Sequence, residues 1–237
     1  MLKNYPVLCI ICIIDEEIVQ IQFISSAYEN GLSVSNSLDF DILIVGISPV
    51  LKEVVVGSIL GDGWLEKQKI NARFRFEQSH IRKEFFFYLF EYFSPLCKNS
   101  PKLRERFDKR TNKIYKTWHF STLSVPFLTH YHNLFYVNNK KVIPVNIIDL
   151  ITPLALAILI MCDGYKHNKG VTLATNAFSI SENELLINAL NQKFGFSCRM
   201  IFDHEYPSIH IPYSDLSNLQ NLVVQHMHTS LLYKIHL

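Results

Sequence analysis

Residues 156–164 read LAILIMCDG, an apolar run that ends in Asp163 followed by a glycine. A second run of the same kind, VVGSILGDG at residues 55–63, ends in Asp62 followed by a glycine. Both runs are compatible with helices, and two such helices packed side by side would bring the two aspartates together at one end. Paired carboxylates offer the oxygen ligands that Mg²⁺ and other hard cations bind, and such cations assist phosphoryl chemistry. The pattern therefore predicts a two-helix cation site.

Both runs resemble the LAGLIDADG motif, and the resemblance extends from about residue 50 to the C-terminus. The matching positions are Leu156, Ala157, Leu159, Ile160, Asp163 and Gly164 in one run, and Gly57, Ile59, Asp62 and Gly63 in the other. The segments LFYVNNKKVIP at 134–144 and LLYK at 231–234 also belong to the resemblance. The chain is similar to the monomeric, two-motif homing endonucleases encoded in mitochondrial introns.

This resemblance implies an α+β fold of two pseudo-symmetric αββαββα repeats. The repeats would pack through the two motif helices, and their antiparallel sheets would form a saddle for nucleic acid. The implied division is an N-terminal extension of unassigned role (1–50), a first repeat (51–137), a linker (138–152) and a second repeat (153–237).

The implied function is site-specific cleavage of double-stranded DNA with Mg²⁺ or another divalent cation, by a monomer encoded in the mitochondrion. Two rival functions stay open, namely an intron RNA maturase and a non-catalytic component that binds structured RNA in an organellar ribonucleoprotein. No membrane association is expected, because the apolar run near the N-terminus is too short to span a bilayer and acidic residues 15–17 interrupt it.

Charge is distributed unevenly along the chain, although the net charge is only +2. Residues 61–141 carry sixteen basic and seven acidic side chains, a net of +9, whereas residues 142–237 carry a net of −2. Phosphate contacts are a main source of nucleic-acid affinity. The first repeat is therefore expected to supply most of the binding, and the feeble basic character of the second repeat favours RNA binding or loss of cleavage.

In the first repeat the segment ARFRFEQS alternates apolar and charged residues, which is typical of a half-buried strand. Four strands and two helices are predicted after the first motif: strands Trp64–Lys67, Arg73–Ser79, Lys102–Asp108 and Lys113–Ser121, and helices Arg82–Phe93 and Pro126–Tyr136.

The second repeat is predicted to have the same order of elements. Its first strand is placed at Gly170–Phe178, after a turn at Lys166–Lys169. A helix is then expected to begin at Ser181, with Glu184 completing a capping box, and to run to Phe194. Strands Ser197–Phe202 and Ser208–Pro212 and a helix over Tyr213–His226 complete the prediction.

Asp62 and Asp163 are the predicted catalytic and metal-binding residues. By resemblance, Lys141 and Lys234 are expected to approach the cation site and to orient water or neutralise the phosphate in the transition state, with Lys140 as the alternative to Lys141. Gln78, at the end of a strand, is a candidate for holding water, as is its counterpart in the second repeat, Thr175 or Asn176.

Basic side chains of the first repeat are the candidates for nucleic-acid contact, because Arg reads guanine in the major groove and Lys contacts phosphate. These candidates are Arg73, Arg75, His80, Arg104, Arg106, Lys113, Lys116 and Lys140.

Overall fold

The computed structural model describes residues 12–14, 17–19, 48–203 and 205–237, and the chain divides into two units, Met1–Pro49 and Val50–Leu237. In the first unit, strands β1 (Cys12–Ile14) and β2 (Glu17–Val19) form an antiparallel pair. The other residues of the predicted N-terminal extension, up to residue 47, lie outside the described part of the chain.

The two motif runs form helices α1 (Pro49–Leu60) and α5 (Pro153–Asp163). Both are apolar around most of their circumference, and a helix of that kind is stable only when it is buried on several sides. Residues 54–60 of α1 and residues 154–162 of α5 are indeed all buried. The start of α5 is fixed by Thr152, which accepts a hydrogen bond from the Ala155 N–H.

The first repeat continues from α1 with a four-stranded antiparallel sheet in the order β3-β4-β6-β5, with helices packed against it. Its elements are β3 (Trp64–Lys67), β4 (Ala72–Ser79), α2 (Lys83–Phe93), β5 (Lys102–Asp108), β6 (Lys113–Ser121) and α3 (Pro126–Phe135). The predicted elements of this repeat are confirmed to within one or two residues.

Aromatic side chains fill the space between this sheet and α2. Phe74 stacks on Phe93 with a centroid distance of 4.1 Å, and Phe76 and Phe120 are also buried. Because successive strand residues point to opposite faces, burying these phenylalanines turns the neighbouring Arg73 and Arg75 toward the other face. The predicted alternation of the segment is confirmed.

The segment between the repeats contains a small hairpin, β7 (Tyr136–Val137) and β8 (Lys140–Lys141), and a short helix α4 (Ile147–Leu150). Asn138 and Asn139 form its two-residue turn with φ of 51° and 61°, a conformation that Asn tolerates better than most residues. This hairpin fixes the direction in which Lys141 projects.

The second repeat follows α5 with the same order of elements in a smaller sheet, β11-β12-β10-β9. Its elements are β9 (Gly164–His167), β10 (Gly170–Leu173), α6 (Ile180–Phe194), β11 (Arg199–Asp203), β12 (Tyr206–Ile211) and α7 (Leu216–Val223). The chain ends in a 3-10 segment, Thr229–Ile235. The α+β architecture of two αββαββα repeats is confirmed.

Several boundaries predicted for the second repeat are wrong by two residues or more. The strands predicted to begin at Ser197 and Ser208 begin at Arg199 and Tyr206. The turn before β10 contains only Asn168 and Lys169, because β9 continues to His167. Strand β10 ends at Leu173, because the following backbone turns back and bonds to the buried amide of Asn183 instead of to a neighbouring strand.

The helix cap was also misplaced by two residues. The capping box is formed by Ser179 and Glu182, not by Ser181 and Glu184. Both pairs have the required spacing, and Glu182 additionally accepts a hydrogen bond from the Ile143 N–H at 3.2 Å. This contact with the inter-repeat segment further stabilises the capping box that begins at Ser179.

No helix in the described part of the chain has the length and apolar character needed to cross a membrane.

Candidate active site and nucleic-acid interface

Helices α1 and α5 approach each other at backbone distance through two glycines. A Cβ atom placed on Gly57 would lie 2.8 Å from the Cβ of Ile158, and one placed on Gly61 would lie 2.5 Å from the Cβ of Cys162. Real Cβ atoms do not approach so closely, so only glycine permits this contact. Gly61 directly follows the last residue of α1 and precedes Asp62, whereas Asp163 is the last residue of α5.

The two carboxylates therefore lie at the same end of the helix pair. Oδ2 of Asp163 is 3.4 Å from the position that a Cβ on Gly61 would occupy, and Asp62 is the next residue along the chain. Burial, reinforced by the charge of Asp62, raises the pKa of Asp163 to about 7. Two interacting carboxylates with this unfavourable repulsion suit a divalent cation, which relieves it.

No third acidic, cysteine or histidine side chain joins the two aspartates in the part of the chain that the structure describes. Within the described residues no cluster of three or more His, Cys, Asp and Glu side chains is arranged to hold a metal ion. The donor set thus consists of two carboxylates, which fits a cation whose other ligands are water and substrate phosphate oxygens.

Gln78 lies beside Asp62 at the end of β4. Its Nε2 donates a hydrogen bond to Oδ2 of Asp62 at 2.9 Å, and its Oε1 accepts one from the Ser79 N–H. The proposed counterpart Thr175 is buried, and its hydroxyl donates to Oδ1 of Asn183, whereas Asn176 is exposed. The Thr175 hydroxyl is committed to the turn after β10.

Lys141 bonds to the backbone on both sides of Asp62. Its Nζ donates to the carbonyls of Gly61 at 3.0 Å and Gly63 at 2.9 Å. Burial lowers the pKa of Lys141, although the nearby carboxylates oppose the shift. An ammonium group has three N–H donors, and the third has no partner among the described residues.

Lys234 holds the end of α5 in the corresponding way but more completely. The buried Nζ donates to the carbonyls of Ile160 at 3.1 Å, Met161 at 2.7 Å and Cys162 at 3.1 Å. Burial, with the charge of Arg82, lowers the pKa of Lys234 to about 8. All three donors are used, so in this arrangement Lys234 positions the helix end that carries Asp163, and its predicted direct role in the reaction stays a prediction.

Arg82 is a site residue that the sequence did not reveal. Its Nη1 lies 3.5 Å from the carbonyl oxygen of Cys162, and its charge lowers the pKa of Asp163 against the effects of burial and Asp62. The two residues in contact are eighty positions apart. No local spacing in the sequence points to such a contact.

Several candidate nucleic-acid residues share the outer face of the first sheet. The strand register turns Arg73, Arg75, Arg104, Arg106 and Lys113 to this face, away from the phenylalanine core. A groove of about 680 Å³ runs along the face, and its lining includes Arg104 and Arg106. This face is the candidate nucleic-acid interface.

The other candidates are placed differently. Lys116 pairs in register with Glu105 and alternates to the other side of the β5–β6 hairpin, where the two side chains form an ion pair of 2.6 Å, and it also borders the groove. His80 accepts a hydrogen bond from the Trp118 indole through Nδ1. Lys140 is exposed on the small hairpin that carries Lys141.

The corresponding face of the second repeat is smaller and less charged. Its central residues Thr172 and His210 are buried, and the Thr172 hydroxyl is within hydrogen-bonding distance of both His210 and His167. Burial, with the charges of His167 and Arg199, lowers the pKa of His210. A threonine and two histidines therefore occupy the centre of this face, and Arg199 lies beside them in register with His210.

Comparison with known proteins gives the same assignment for most of the chain. The family model of the LAGLIDADG DNA endonuclease family matches residues 52–219. The "Probable intron-encoded endonuclease 1" of Wickerhamomyces canadensis is 32% identical over 197 residues, which span 80% of this chain and 85% of the relative. The "Cytochrome b mRNA maturase bI2" of Debaryomyces hansenii is 38% identical over 153 residues, 62% of this chain and 58% of the relative.

A solved structure has the same fold over nearly the whole chain. The homing endonuclease I-WcaI, bound to its DNA recognition sequence, superposes with a TM-score of 0.78 at 28% identity, and the match covers 90% of this chain and 98% of that one. Together with the two motif helices and their paired aspartates, these similarities establish that the chain belongs to the LAGLIDADG DNA endonuclease family.

Proposed function

We propose that this chain is an intron-encoded homing endonuclease that cuts both strands of a double-stranded DNA target with Mg²⁺. The observation that carries the proposal is the meeting of Asp62 and Asp163 at one end of the paired motif helices. Binding of nucleic acid does not require two neighbouring carboxylates that repel each other, whereas phosphodiester hydrolysis with a divalent cation does.

In this proposal Asp62 and Asp163 hold the cation. A bound divalent cation stabilises the charge that develops on the leaving oxygen and activates water. Gln78 fixes the orientation of the Asp62 carboxylate through its amide. Lys141 uses its third N–H to orient water or to neutralise a phosphate oxygen, and Lys234 holds the α5 carbonyls so that Asp163 keeps its position.

The DNA lies across the outer faces of the two sheets, with the first repeat providing most of the phosphate contacts. The excess of basic side chains within residues 61–141 and the groove beside Arg104 support this arrangement. Because both motifs are in one chain, the protein acts as a monomer. The similarity to cytochrome b maturases and intron-encoded endonucleases supports expression from a mitochondrial genome.

A second function, an intron RNA maturase, is favoured by the 38% identity to a cytochrome b mRNA maturase. The outer face of the second sheet also favours it, because it presents fewer basic side chains than the first, whereas a symmetric DNA saddle would place basic side chains on both sheets. The same reasoning covers a non-catalytic protein that binds structured RNA. Cleavage and RNA binding are therefore to be measured on the same protein.

The deciding experiment uses a plasmid library that carries candidate intron-insertion junctions. The full chain is incubated with the library in Mg²⁺, and in parallel in a chelator. Linearisation at one junction in Mg²⁺ alone is expected. If nothing is cut, and the chain instead binds its host intron RNA tightly, the maturase is the function.

A further inference from the structure

A carboxylate sits between two arginines on the candidate nucleic-acid interface. Oε2 of Glu66 accepts hydrogen bonds from Arg73 Nε at 3.0 Å, from Arg73 Nη2 at 2.9 Å and from Arg75 Nη1 at 3.0 Å. The Arg75 guanidinium also lies over the Trp64 ring, 5.3 Å from its centroid. The strand register places Trp64 and Glu66 opposite Arg75 and Arg73, so all four side chains share the outer face.

This carboxylate stays charged. Burial alone would raise the pKa of Glu66, but the hydrogen bonds and charges of Arg73 and Arg75 outweigh that effect and lower the pKa. A fixed negative charge on a phosphate-binding face repels DNA of every sequence. Its presence is therefore not explained by affinity.

The geometry instead suits recognition of bases. A guanidinium presents its donors in a rigid fork, and one acceptor shared by two arginines restricts both forks to a single orientation. In the major groove, arginine pairs with guanine through two hydrogen bonds, and a glutamate oxygen accepts from the amino group of cytosine. The second oxygen of Glu66, Oε1, has no hydrogen-bond partner among the described residues, and the side chain is 35% exposed.

We propose that Glu66 is a specificity-determining residue: its Oε1 accepts a hydrogen bond from the amino group of a cytosine in the target, while its Oε2 orients Arg73 and Arg75 toward neighbouring bases. The inference rests on the proposed DNA-binding function and adds to it a residue that lowers general affinity and raises discrimination. A favourable contact with the right base combined with repulsion of other DNA is a common route to specificity.

The test compares the wild-type chain with Glu66→Gln and with a matched control, Glu105→Gln. The control substitution removes the same charge, but from a glutamate that forms an ion pair with Lys116 on the other side of the β5–β6 hairpin. Each protein is used to select binders from a pool of duplex DNA with randomised sequence, and the selected duplexes are sequenced. Binding of one fixed, unselected duplex is then titrated with salt.

For Glu66→Gln, the preference for cytosine at one position is expected to fall about tenfold and to move toward adenine, because a glutamine amide pairs with adenine. Affinity for the unselected duplex is expected to stay equal or to rise, because a repulsive charge is gone. Glu105→Gln is expected to keep the wild-type preferences.

Two results would overturn the inference. One is a Glu66→Gln protein that selects the same sequences as the wild type. The other is a Glu66→Gln protein that binds all sequences more weakly by the same factor, which would make Glu66 a structural residue. A wild-type chain that enriches no sequence at all would be a different failure, since it would remove the proposed function itself and this inference with it.

Discussion

At the residue scale, each motif aspartate lies next to backbone carbonyls that accept hydrogen bonds from a lysine. Lys141 bonds to the carbonyls that flank Asp62, and Lys234 bonds to the three carbonyls that precede Asp163. A carboxylate at a helix C-terminus is unfavourable because the helix dipole is negative there. The two ammonium groups offset that field at the ends of the helix pair where the carboxylates lie.

Replacement of Asp62 or Asp163 by Asn is expected to abolish cleavage while DNA binding stays mostly intact. Losing one charged ligand raises the barrier by several kcal/mol, and each ~1.4 kcal/mol slows the reaction about tenfold. Single-turnover cleavage and gel-shift binding measure the two effects separately. Asp149→Asn, on the exposed side of α4, is the control and should cut normally; near-normal cutting by either site variant would contradict the metal-ligand assignment.

Lys234→Met is expected to lower the free energy of unfolding by about 2–4 kcal/mol, because three carbonyls at a buried helix end lose a charged donor. Lys141→Met should cost less stability, because Lys141 makes two such bonds and is only half-buried. Urea denaturation of the two variants measures the difference. Equal losses, or a stable Lys234→Met protein, would show that Lys234 does not hold the end of α5.

At the element scale, the close approach of α1 and α5 is what brings the two repeats into one site. Gly57 and Gly61 are one helical turn apart, and both face α5 without a side chain. The adjacent Ser58 is fully buried, and its hydroxyl has no hydrogen-bond partner among the described residues. The helix therefore tolerates an unsatisfied polar group next to a contact that leaves no free space.

Gly57→Ala is expected to destabilise the protein by about 1–3 kcal/mol, because the added methyl group would overlap the backbone of Ala155 and the Ile158 side chain. Ser58→Ala on the same helix is the matched control. It removes a buried hydroxyl that makes no hydrogen bond, so stability should be unchanged or slightly higher. Thermal unfolding distinguishes the two, and a Gly57→Ala protein as stable as the wild type would mean that the helices have room to separate.

At the scale of the whole molecule, the two sheets are unequal partners. The first has strands of up to nine residues and exposes arginines, whereas the longest strand of the second has six and the centre of its outer face is buried. The basic side chains that are candidates for nucleic-acid contact therefore lie mostly on the first sheet. This asymmetry distinguishes the protein from a saddle with two equivalent halves.

Replacing Arg104 and Arg106 together with Ala is expected to reduce the slope of log affinity against log salt by roughly one to two units, because each phosphate contact contributes about 0.9. Replacing Lys166 and Lys169 should reduce it less. Lys166 pairs in register with the buried Val171, so it projects from the core side of its sheet. A salt titration with equal or reversed effects would show that the charge asymmetry does not map onto the binding face.

The sequence determined the features whose causes are local. The two apolar runs ending in Asp62 and Asp163 predicted paired helices, and the alternation around Phe74 predicted which face of β4 is buried. Strand ends were predicted well in the first repeat, where periodicity is strong. They were predicted poorly after β10, where a buried Asn183 replaces the ladder with its own hydrogen bonds.

Only the tertiary structure decided how the site residues are used. Two overlapping Ser-x-x-Glu patterns were available, and the structure adopts the Ser179 register, in which Glu182 also bonds to the inter-repeat segment. Lys234 meets its carbonyl partners across more than seventy residues, and Glu66 meets both arginines only because β3 and β4 pair in one register. Spacing along the chain specifies which helix or strand a residue joins, but the bonding of a charged group depends on which distant groups the packed core leaves within reach.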